Sequence, residues 1–309
     1  MRTAKCRGLA LVPLLLVGLQ SAAEPYETFD VDGGTLLIEW RGQFTTEQQG
    51  KLRQWLSSVT DTVALLHGSL PRSSLRIVLE PYPANRTVPF AQVIRSEPEG
   101  VHFYINPDRS SEEFIKDWTA YHELSHLFIP YPGRRSIWFS EGMACYYQNI
   151  LQFRAGLLTE QQAWQKLYNG FERGRQDRRG DGLTLGELSA VMRERHAFMR
   201  TYWSGALYFL EADIELRRFS HGRMTMDDVL RDYGQCCLEA RSRTTGLELA
   251  LAFDRIAAAE IFVPLYERYE ASVAIPDYQA VMRAAGVTVV NNQVHIDPVN
   301  PPSHSLLQR

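Results

Sequence analysis

Two histidines and a glutamate at a fixed spacing carry the clearest chemical meaning in this sequence. They stand in the segment His122-Glu123-Leu124-Ser125-His126. A spacing of four places both imidazoles on one face of a helix, one turn apart, so that two ring nitrogens can reach one metal ion. Zinc accepts imidazole nitrogen readily, and Glu123 stands beside the first histidine, where its carboxylate can act as general base toward a zinc-activated water. The segment therefore predicts a zinc site for hydrolysis.

A catalytic zinc site of this kind needs a third protein ligand, and the best candidate is Glu141. It stands in the segment Trp138-Phe139-Ser140-Glu141-Gly142, near the start of the next predicted helix. A tight antiparallel pair of helices, joined by the loop over residues 130–137, would bring its carboxylate over the two histidines. The alternative for Glu141 alone is an acidic residue in the first turn of a helix, where the helix dipole favours it.

The elements that must position these residues change in character near residue 106. Upstream, short apolar runs separated by proline and glycine predict a small sheet with one helix, which Thr45 and Gln48 open as a capping box. Downstream, helical periodicity dominates, and Ser110 and Glu113 open a helix that should run to about Phe128 and carry the histidines. Ser140 is predicted to cap the following helix. Further helices are expected near 185–194, 199–219, 226–233, 247–257, 259–272 and 277–285, with a solvated loop at 172–183.

The N-terminus is typical of an export signal. Arg2, Lys5 and Arg7 precede an apolar run over residues 9–19, and the small residues Ser21-Ala22-Ala23 provide a cleavage site. The alternative, a membrane anchor, would need about 20 apolar residues, so this run is too short. We therefore expect residues 1–23 to be removed, no membrane span in the mature chain, and a periplasmic or secreted protein.

The expected organisation follows from these patterns. Residues 24–106 should form a sheet-rich lobe of the catalytic unit, and residues 107–297 a helical lobe that ends in a hairpin over 287–290 and 294–296. Residues 298–309 should be a flexible tail. The oligomeric state cannot be predicted from these patterns.

Composition and cysteine content narrow the alternatives further. The 309 residues are 45% hydrophobic and carry a formal net charge of -3, which gives no reason to expect nucleic acid as a partner. Beyond the predicted signal, the cysteines are Cys145, Cys236 and Cys237. One bridge between Cys145 and one of the adjacent pair is conceivable in an oxidising compartment, but the sequence does not establish it. No Cys/His framework supports Cys145 as a nucleophile.

The motif and the segment that follows it resemble the gluzincin clan of zinc metallopeptidases. Within that clan, Tyr202-Trp203-Ser204-Gly205 and the polar residues after it resemble the glycyl aminopeptidase family. The resemblance implies an α+β, zincin-like fold, with a small mixed sheet lobe, a mainly helical lobe and the zinc site between them. It also implies peptide substrates and a role for Tyr202 in stabilising the oxyanion; the alternative is a buried aromatic residue that only packs.

Two departures from the clan affect specific residues. Position 145 is cysteine, where thermolysin-like members have an aspartate behind the zinc ligands, so the groups that orient the histidines are left open. The Gly-x-Met-Glu-Asn signature of exopeptidases is absent from the sequence. In the clan, a strand equivalent to residues 101–105 would form the cleft edge. Glu97 and Glu99 are candidates to hold a free amino terminus, although exposed turn acids are the commoner case.

These observations predict an exported zinc-dependent peptidase that acts on peptides or proteins. One alternative is an aminopeptidase with a preference for small N-terminal residues. Two further alternatives lie outside catalysis: an inactive peptidase fold that binds exported polypeptides, and a metal-binding protein with no enzymatic role.

Overall fold

A five-stranded sheet forms the first part of the chain. The computed structural model describes residues 26–66, 68–238, 244–297 and 307, so the predicted export signal and most of the predicted tail lie outside the described residues. The strand order is β1-β2-β3-β5-β4, with β2, β3 and β5 parallel and the two outer strands antiparallel to their neighbours. The strands are β1 Glu27–Val31, β2 Gly34–Trp40, β3 Ser74–Pro81, β4 Phe90–Ile94 and β5 Gly100–Ile105.

The sheet is covered by helix α1, Thr46–Ala64, whose N-terminal capping box of Thr45 and Gln48 is as predicted. Its apolar stripe is buried, and Trp55 packs edge-on against Phe103 of β5 at 5.3 Å between ring centroids. The same indole contacts Phe114 at 5.0 Å, beyond the sheet. Since Trp55 joins α1 to both regions, the sheet lobe and the first helix of the helical lobe share one hydrophobic core.

Strand β4, rather than β5, lies at the sheet edge. Strand β5 pairs with β3 on one side and with β4 on the other, so the prediction that residues 101–105 form a cleft edge is wrong. Strand β5 is almost entirely buried and apolar, as a strand covered on both faces should be, whereas β4 alternates between exposed and buried residues at its start.

The helical lobe begins with a short helix and a break rather than with the single helix predicted from Ser111 to about Phe128. Helix α2 spans Ser111–Lys116 and α3 spans Thr119–Ser125, followed by a 3-10 turn over His126–Phe128. Asp117 interrupts the helix in an extended conformation, at φ −70° and ψ 129°, and its carboxylate accepts the N–H of Thr119 at 2.8 Å. The extended residue thus separates the two helices, and its side chain satisfies the first N–H group of α3.

The next helix, α4, also differs from its prediction. It spans Ile137–Arg154, so Ser140 lies inside its first turns and does not cap it. The remaining helices are α5 Glu160–Gln176, α6 Leu185–Arg195, α7 Phe198–Phe219, α8 Met226–Cys236, α9 Gly246–Ala257, α10 Phe262–Glu270 and α11 Tyr278–Ala284.

Helices α4 and α7 cross at two glycines. A Cβ atom added to Gly142 would lie 2.2 Å from the backbone carbonyl carbon of Gly205, and one added to Gly205 would lie 2.0 Å from the carbonyl oxygen of Trp138. Real Cβ contacts are never this short, so only glycine permits this approach of the two backbones. Glu141 is the neighbour of Gly142, and Tyr202 stands three residues before Gly205. The close crossing therefore holds these two predicted site residues near each other.

The predicted solvated loop at 172–183 is partly helical and partly anchored. Helix α5 continues to Gln176, and the loop that follows is tied down by Asp177, whose buried carboxylate accepts the N–H groups of Met199 and Arg200 at the start of α7. The guanidinium of Arg200 donates to the carbonyl oxygens of Gly180 and Leu183. Because the buried side chains of Asp177 and Arg200 bind backbone groups of α7 and of the loop, this arginine-rich segment has a defined path.

A short hairpin near the end of the described chain contacts α5. Strands β6 Val287–Val290 and β7 Gln293–Ile296 pair antiparallel across Asn291 and Asn292, both at positive φ, as a two-residue hairpin turn requires. The hydroxyl of Tyr168 donates to the Asn292 side chain at 2.7 Å. Among the residues described, none of the helices combines the length and apolar character needed to cross a membrane.

Candidate metal centre

The structure brings His122, His126 and Glu141 together. The two imidazoles lie one turn apart, with ring centroids 4.9 Å from each other. Oε2 of Glu141 lies 3.4 Å from Nε2 of His122 and 3.6 Å from Nε2 of His126. The ligand atoms of the three residues all lie within 4.8 Å of one another, which is the spacing of groups that can share one ion.

The outer ring nitrogens of both histidines have partners on α4. Nδ1 of His122 donates to Oε1 of Gln148 at 2.8 Å, and Nδ1 of His126 lies 3.0 Å from Oγ of Ser140. An amide oxygen can only accept, so the proton of neutral His122 is on Nδ1 and the Nε2 lone pair faces Glu141. This is the tautomer that a metal ion requires. The donor set of two imidazoles and a carboxylate therefore fits zinc.

Sequence reasoning did not find Gln148 and assigned Ser140 a different role. Both lie on α4 with Glu141, and Gln148 stands seven residues after it, two helical turns along the same face. Once α4 is known to pack over the histidines, this spacing identifies the supporting residues. A serine before an apolar run is equally typical of a helix cap, so the sequence did not distinguish the two roles.

The carboxylates of the site have opposite pKa shifts. Burial by itself would raise the pKa of Glu141, but the two histidines outweigh burial and hold this pKa well below that of an ordinary glutamate. Burial raises the pKa of Glu123, and the histidines oppose this only in part. Glu141 is thus the permanent anion, while Glu123 is the carboxylate suited to accept and return a proton.

Arg95, at the end of β4, supports the turn that carries His126. Its guanidinium donates to the carbonyl oxygens of His126 and Ile129, at 2.9 and 3.0 Å. These carbonyls lie at the irregular end of the helix, where they lack intrahelical donors. The arginine therefore ties the histidine turn to the sheet edge.

Tyr202 reaches the site from α7. Its ring lies nearly parallel to that of His122, with 6.4 Å between centroids. Burial, and then the nearby carboxylate of Glu141, raise the pKa of its phenol above the ordinary value. The hydroxyl is therefore protonated across the physiological range and can donate a hydrogen bond into the site.

These residues line one cavity of about 510 Å³, here called the zinc cleft. Its walls are β4 on one side and α3, α4 and α7 on the other. The residues that line it are Arg86, Val88, Pro89, Phe90, Ala91, Gln92, Val93, Arg95, Trp118, Thr119, His122, Glu123, His126, Tyr131, Ile137, Ser140, Glu141, Arg193 and Tyr202. Glu97 and Glu99 are not among them; Glu99 pairs with Arg72 at 2.6 Å instead.

Comparison with known proteins agrees with this geometry. The M61 glycyl aminopeptidase family matches residues 130–203, a segment that contains Glu141 and Tyr202 and begins after His126. No curated protein matches the chain in sequence. Among solved structures, an aminopeptidase N family protein from Idiomarina loihiensis superposes with a TM-score of 0.57 at 15% identity, covering 85% of this chain and 49% of its own.

Other solved structures give the same result. The M1 zinc metallopeptidase from Deinococcus radiodurans has a TM-score of 0.50 at 12% identity, covering 82% of this chain and 52% of its own. Yeast LTA4 hydrolase in complex with bestatin has a TM-score of 0.50 at 15% identity, and the match covers 83% of this chain and 39% of the hydrolase. The chain resembles the gluzincin zinc metallopeptidases. The α+β, zincin-like fold class is confirmed, and the chain spans about half the length of the first two of these relatives.

Cys145 lies on α4, four residues after Glu141. Its thiol is buried and free, and Sγ lies 4.0 Å from Nδ1 of His122. Burial raises the pKa of this thiol, so it is neutral and a weak acceptor. Gln148, one turn further along α4, provides the hydrogen bond to His122 instead. The bridge from Cys145 that the sequence left open does not form in the structure, because Cys236 and Cys237 are bonded to each other.

Proposed function

We propose that this protein is an exported zinc-dependent peptidase that hydrolyses peptide bonds in peptides or proteins. The observation that carries the proposal is the joint placement of three ligand atoms, a carboxylate with a raised pKa and a protonated tyrosine in one cleft. A site that only binds a metal for structure or storage would need the three ligands, but neither the carboxylate base nor the tyrosine. The match to the glycyl aminopeptidase family over residues 130–203 supports the same class of reaction.

Each of the cleft residues that follow has a separate role in the proposed reaction. His122, His126 and Glu141 would hold zinc, which when bound lowers the pKa of a water molecule and polarises the substrate carbonyl. The carboxylate of Glu123 takes the proton from the attacking water and passes it to the leaving amine. The Tyr202 hydroxyl donates to the carbonyl oxygen as negative charge develops there, a contribution of about 3 kcal/mol for one well-placed donor.

The substrate backbone has a place to bind. Strand β4 is the last strand of the sheet, and Phe90, Ala91, Gln92 and Val93 line the cleft. An edge strand presents backbone N–H and C=O groups that an extended peptide can pair with. A peptide paired along β4 would pass over the zinc helix. The backbone hydrogen bonds to β4 would then align one of its peptide bonds with the catalytic groups.

The export part of this proposal rests on the sequence of residues 1–23. Their basic start, apolar run and small residues before Glu24 are the support for secretion into the periplasm or the medium. Determining the N-terminal residue of the protein recovered from its host would test it. A chain that begins at Glu24 supports export, and a chain that retains residues 1–23 contradicts it.

An aminopeptidase that prefers small N-terminal residues is the second candidate, favoured by the glycyl aminopeptidase match. Such an enzyme must bind a free α-amino group, usually with an acidic side chain. Among the described residues that line the zinc cleft, the only carboxylates are the two assigned to chemistry, Glu123 and Glu141. We therefore favour cleavage that does not depend on a free amino terminus.

The test compares the mature wild-type protein with Glu123→Gln on a mixed peptide library, read by mass spectrometry. The substitution preserves size and hydrogen bonding but removes the base, so hydrolysis should stop while zinc content stays the same. The termini of the products separate internal cleavage from trimming at one end. Turnover that survives Glu123→Gln contradicts the mechanism. If neither protein yields products while both bind zinc and peptide, the inactive binding protein is the better description.

A further inference from the structure

A second cavity adjoins the zinc cleft on the far side of His122. It measures about 430 Å³ and is here called the α5 cavity. It shares Trp118, His122 and Tyr202 with the zinc cleft, so the two meet at one metal ligand and at the tyrosine. The two cavities therefore border each other where a peptide bound across the zinc site would lie. The other residues that line it are Cys145, Gln148, Asn149, Lys166, Asn169, Arg173, Met199 and Trp203.

The mouth of the α5 cavity is positively charged. Lys166, Asn169 and Arg173 stand at i, i+3 and i+7 on α5 and so share one face of that helix. The guanidinium of Arg173 lies over the ring of Trp203, 4.9 Å from its centroid, which fixes its position at the rim. None of the described residues that line the α5 cavity is acidic.

Within the described part of the chain, no carboxylate neutralises these two cations. Neither Lys166 nor Arg173 forms an ion pair with any described residue, and the ammonium of Lys166 donates only to the amide oxygen of Gln152, at 3.3 Å. Both side chains are solvent-exposed, and partial burial of their charged groups lowers the pKa of each. Other arginines of α5 and the following loop behave differently, since Arg175 pairs with Glu172 and Arg178 pairs with Asp181.

The zinc cleft has the same charge bias. Among the described residues that line it, Arg86 and Arg193 pair with no described carboxylate, and the only acids are Glu123 and Glu141. The whole chain nevertheless has a formal net charge of -3. Positive groups are thus concentrated around the site of a protein that is negative overall, an arrangement that selects anionic ligands and accelerates their binding.

We propose that the α5 cavity is a specificity subsite that binds a carboxylate of the substrate through Lys166 and Arg173. The inference rests on the proposed peptidase function and adds the substrate class, acidic polypeptide segments. The side-chain amides of Gln148 and Asn149 also line the cavity, and amide N–H groups can donate to a carboxylate. The carboxylate comes either from an Asp or Glu side chain beside the scissile bond or from a free C-terminus near it.

The test uses matched peptides built on a sequence that the wild-type protein cleaves. Glu, Gln and Lys are placed in turn at each position beside the cleaved bond, and each peptide is made with a free or an amidated C-terminus. We expect kcat/KM to be about tenfold higher for Glu than for Gln at one position, since a hydrogen bond to a charged group contributes about that factor. A preference for the free over the amidated end would instead identify the C-terminal carboxylate.

Variants assign the preference to the cavity. Lys166→Gln with Arg173→Gln should remove the Glu preference, whereas the control Arg175→Gln with Arg178→Gln has the same change in charge and should retain it. Lys166→Glu should shift the preference toward Lys, which a variant that is merely less stable cannot do. Cleavage with no difference between Glu and Gln or between acid and amide ends, or a preference that survives loss of both cations, overturns the inference.

Binding separates this inference from the proposed function. Fluorescence anisotropy of the Glu and Gln peptides with zinc-loaded Glu123→Gln reports the subsite without turnover. Tighter binding of the Glu peptide, weakened by loss of Lys166 and Arg173, supports the subsite even if the wild-type protein cleaves nothing. Equal binding of both peptides contradicts it even if cleavage is observed.

Discussion

Replacing Gln148 by leucine tests how the metal centre is supported. The side chain accepts the Nδ1 proton of His122 at 2.8 Å, and both groups are buried. Leucine has nearly the same size but no acceptor, so the Nδ1–H group would be left without a partner, apart from the weak acceptor Sγ of Cys145 at 4.0 Å. The imidazole would then lose the hydrogen bond that fixes its tautomer and its orientation.

The expected magnitude follows from that one bond. A buried donor left unsatisfied costs about 1–3 kcal/mol, and the loss of a partner behind a ligand histidine lowers metal affinity by about 10–100-fold. The two figures agree, since tenfold corresponds to about 1.4 kcal/mol. We therefore expect the Kd for zinc to rise by about 10–100-fold in Gln148→Leu. Gln148→Glu retains an acceptor and should bind zinc at least as tightly as the wild-type protein.

The assay is a zinc titration in competition with a chromophoric chelator, with thermal unfolding measured with and without zinc. Gln152→Leu is the matched control, because Gln152 is a buried glutamine one turn further along α4 that donates to the Lys116 carbonyl and does not contact the histidines. An affinity in Gln148→Leu within twofold of wild type would refute the reasoning. An equal loss in Gln152→Leu would refute it too, since the effect would then be general destabilisation.

Three further predictions concern catalysis and packing. Tyr202→Phe should lower kcat about 100-fold or more with little change in KM, since the hydroxyl acts on charge that forms only in the transition state; an equal kcat would assign the ring to packing alone. Because burial raises the pKa of Glu123, kcat/KM should fall on acidification through an apparent pKa above the ordinary 4.5, as the base becomes protonated; a profile that falls only below that value would contradict this assignment. Gly142→Ala should reduce the free energy of unfolding by about 1–3 kcal/mol, because its Cβ would lie 2.2 Å from Gly205. Gly50→Ala on α1, where no atom lies within 4 Å, should instead be neutral or stabilising by about 0.5–1 kcal/mol in urea titrations.

Local patterns predicted well those features that depend on neighbours in sequence. The capping boxes of Thr45 and Ser110 both form, since each links a side chain to a backbone group three residues away. Most helices were predicted within a few residues of their ends for the same reason. The break at Asp117 was missed because an aspartate is tolerated in a helix, and its side chain opens a new helix only when the chain turns there.

The predictions that failed concern contacts between distant segments. Strand β5 was placed at the cleft edge because it precedes the zinc helix, but the edge strand is β4, whose place depends on how all five strands pair. Ser140 was predicted to cap α4, but it contacts His126, an interaction that exists only because α3 and α4 pack together. The sequence left the cysteine pairing open, and in the structure Cys236 is bonded to Cys237 while Cys145 is buried and free.

By itself the sequence determined the chemistry that this chain can support. The spacing of His122, Glu123 and His126 within one helix, together with the type of residue at 141 and 202, is enough to specify two imidazoles, a base, a carboxylate and a hydroxyl donor. Only the tertiary structure decided how these groups are held and what they face. The Gly142–Gly205 crossing, the support of His122 by Gln148 and the cations around the site all arise between helices that are distant in sequence. Such contacts depend on the packing of whole elements, and no short-range periodicity encodes them.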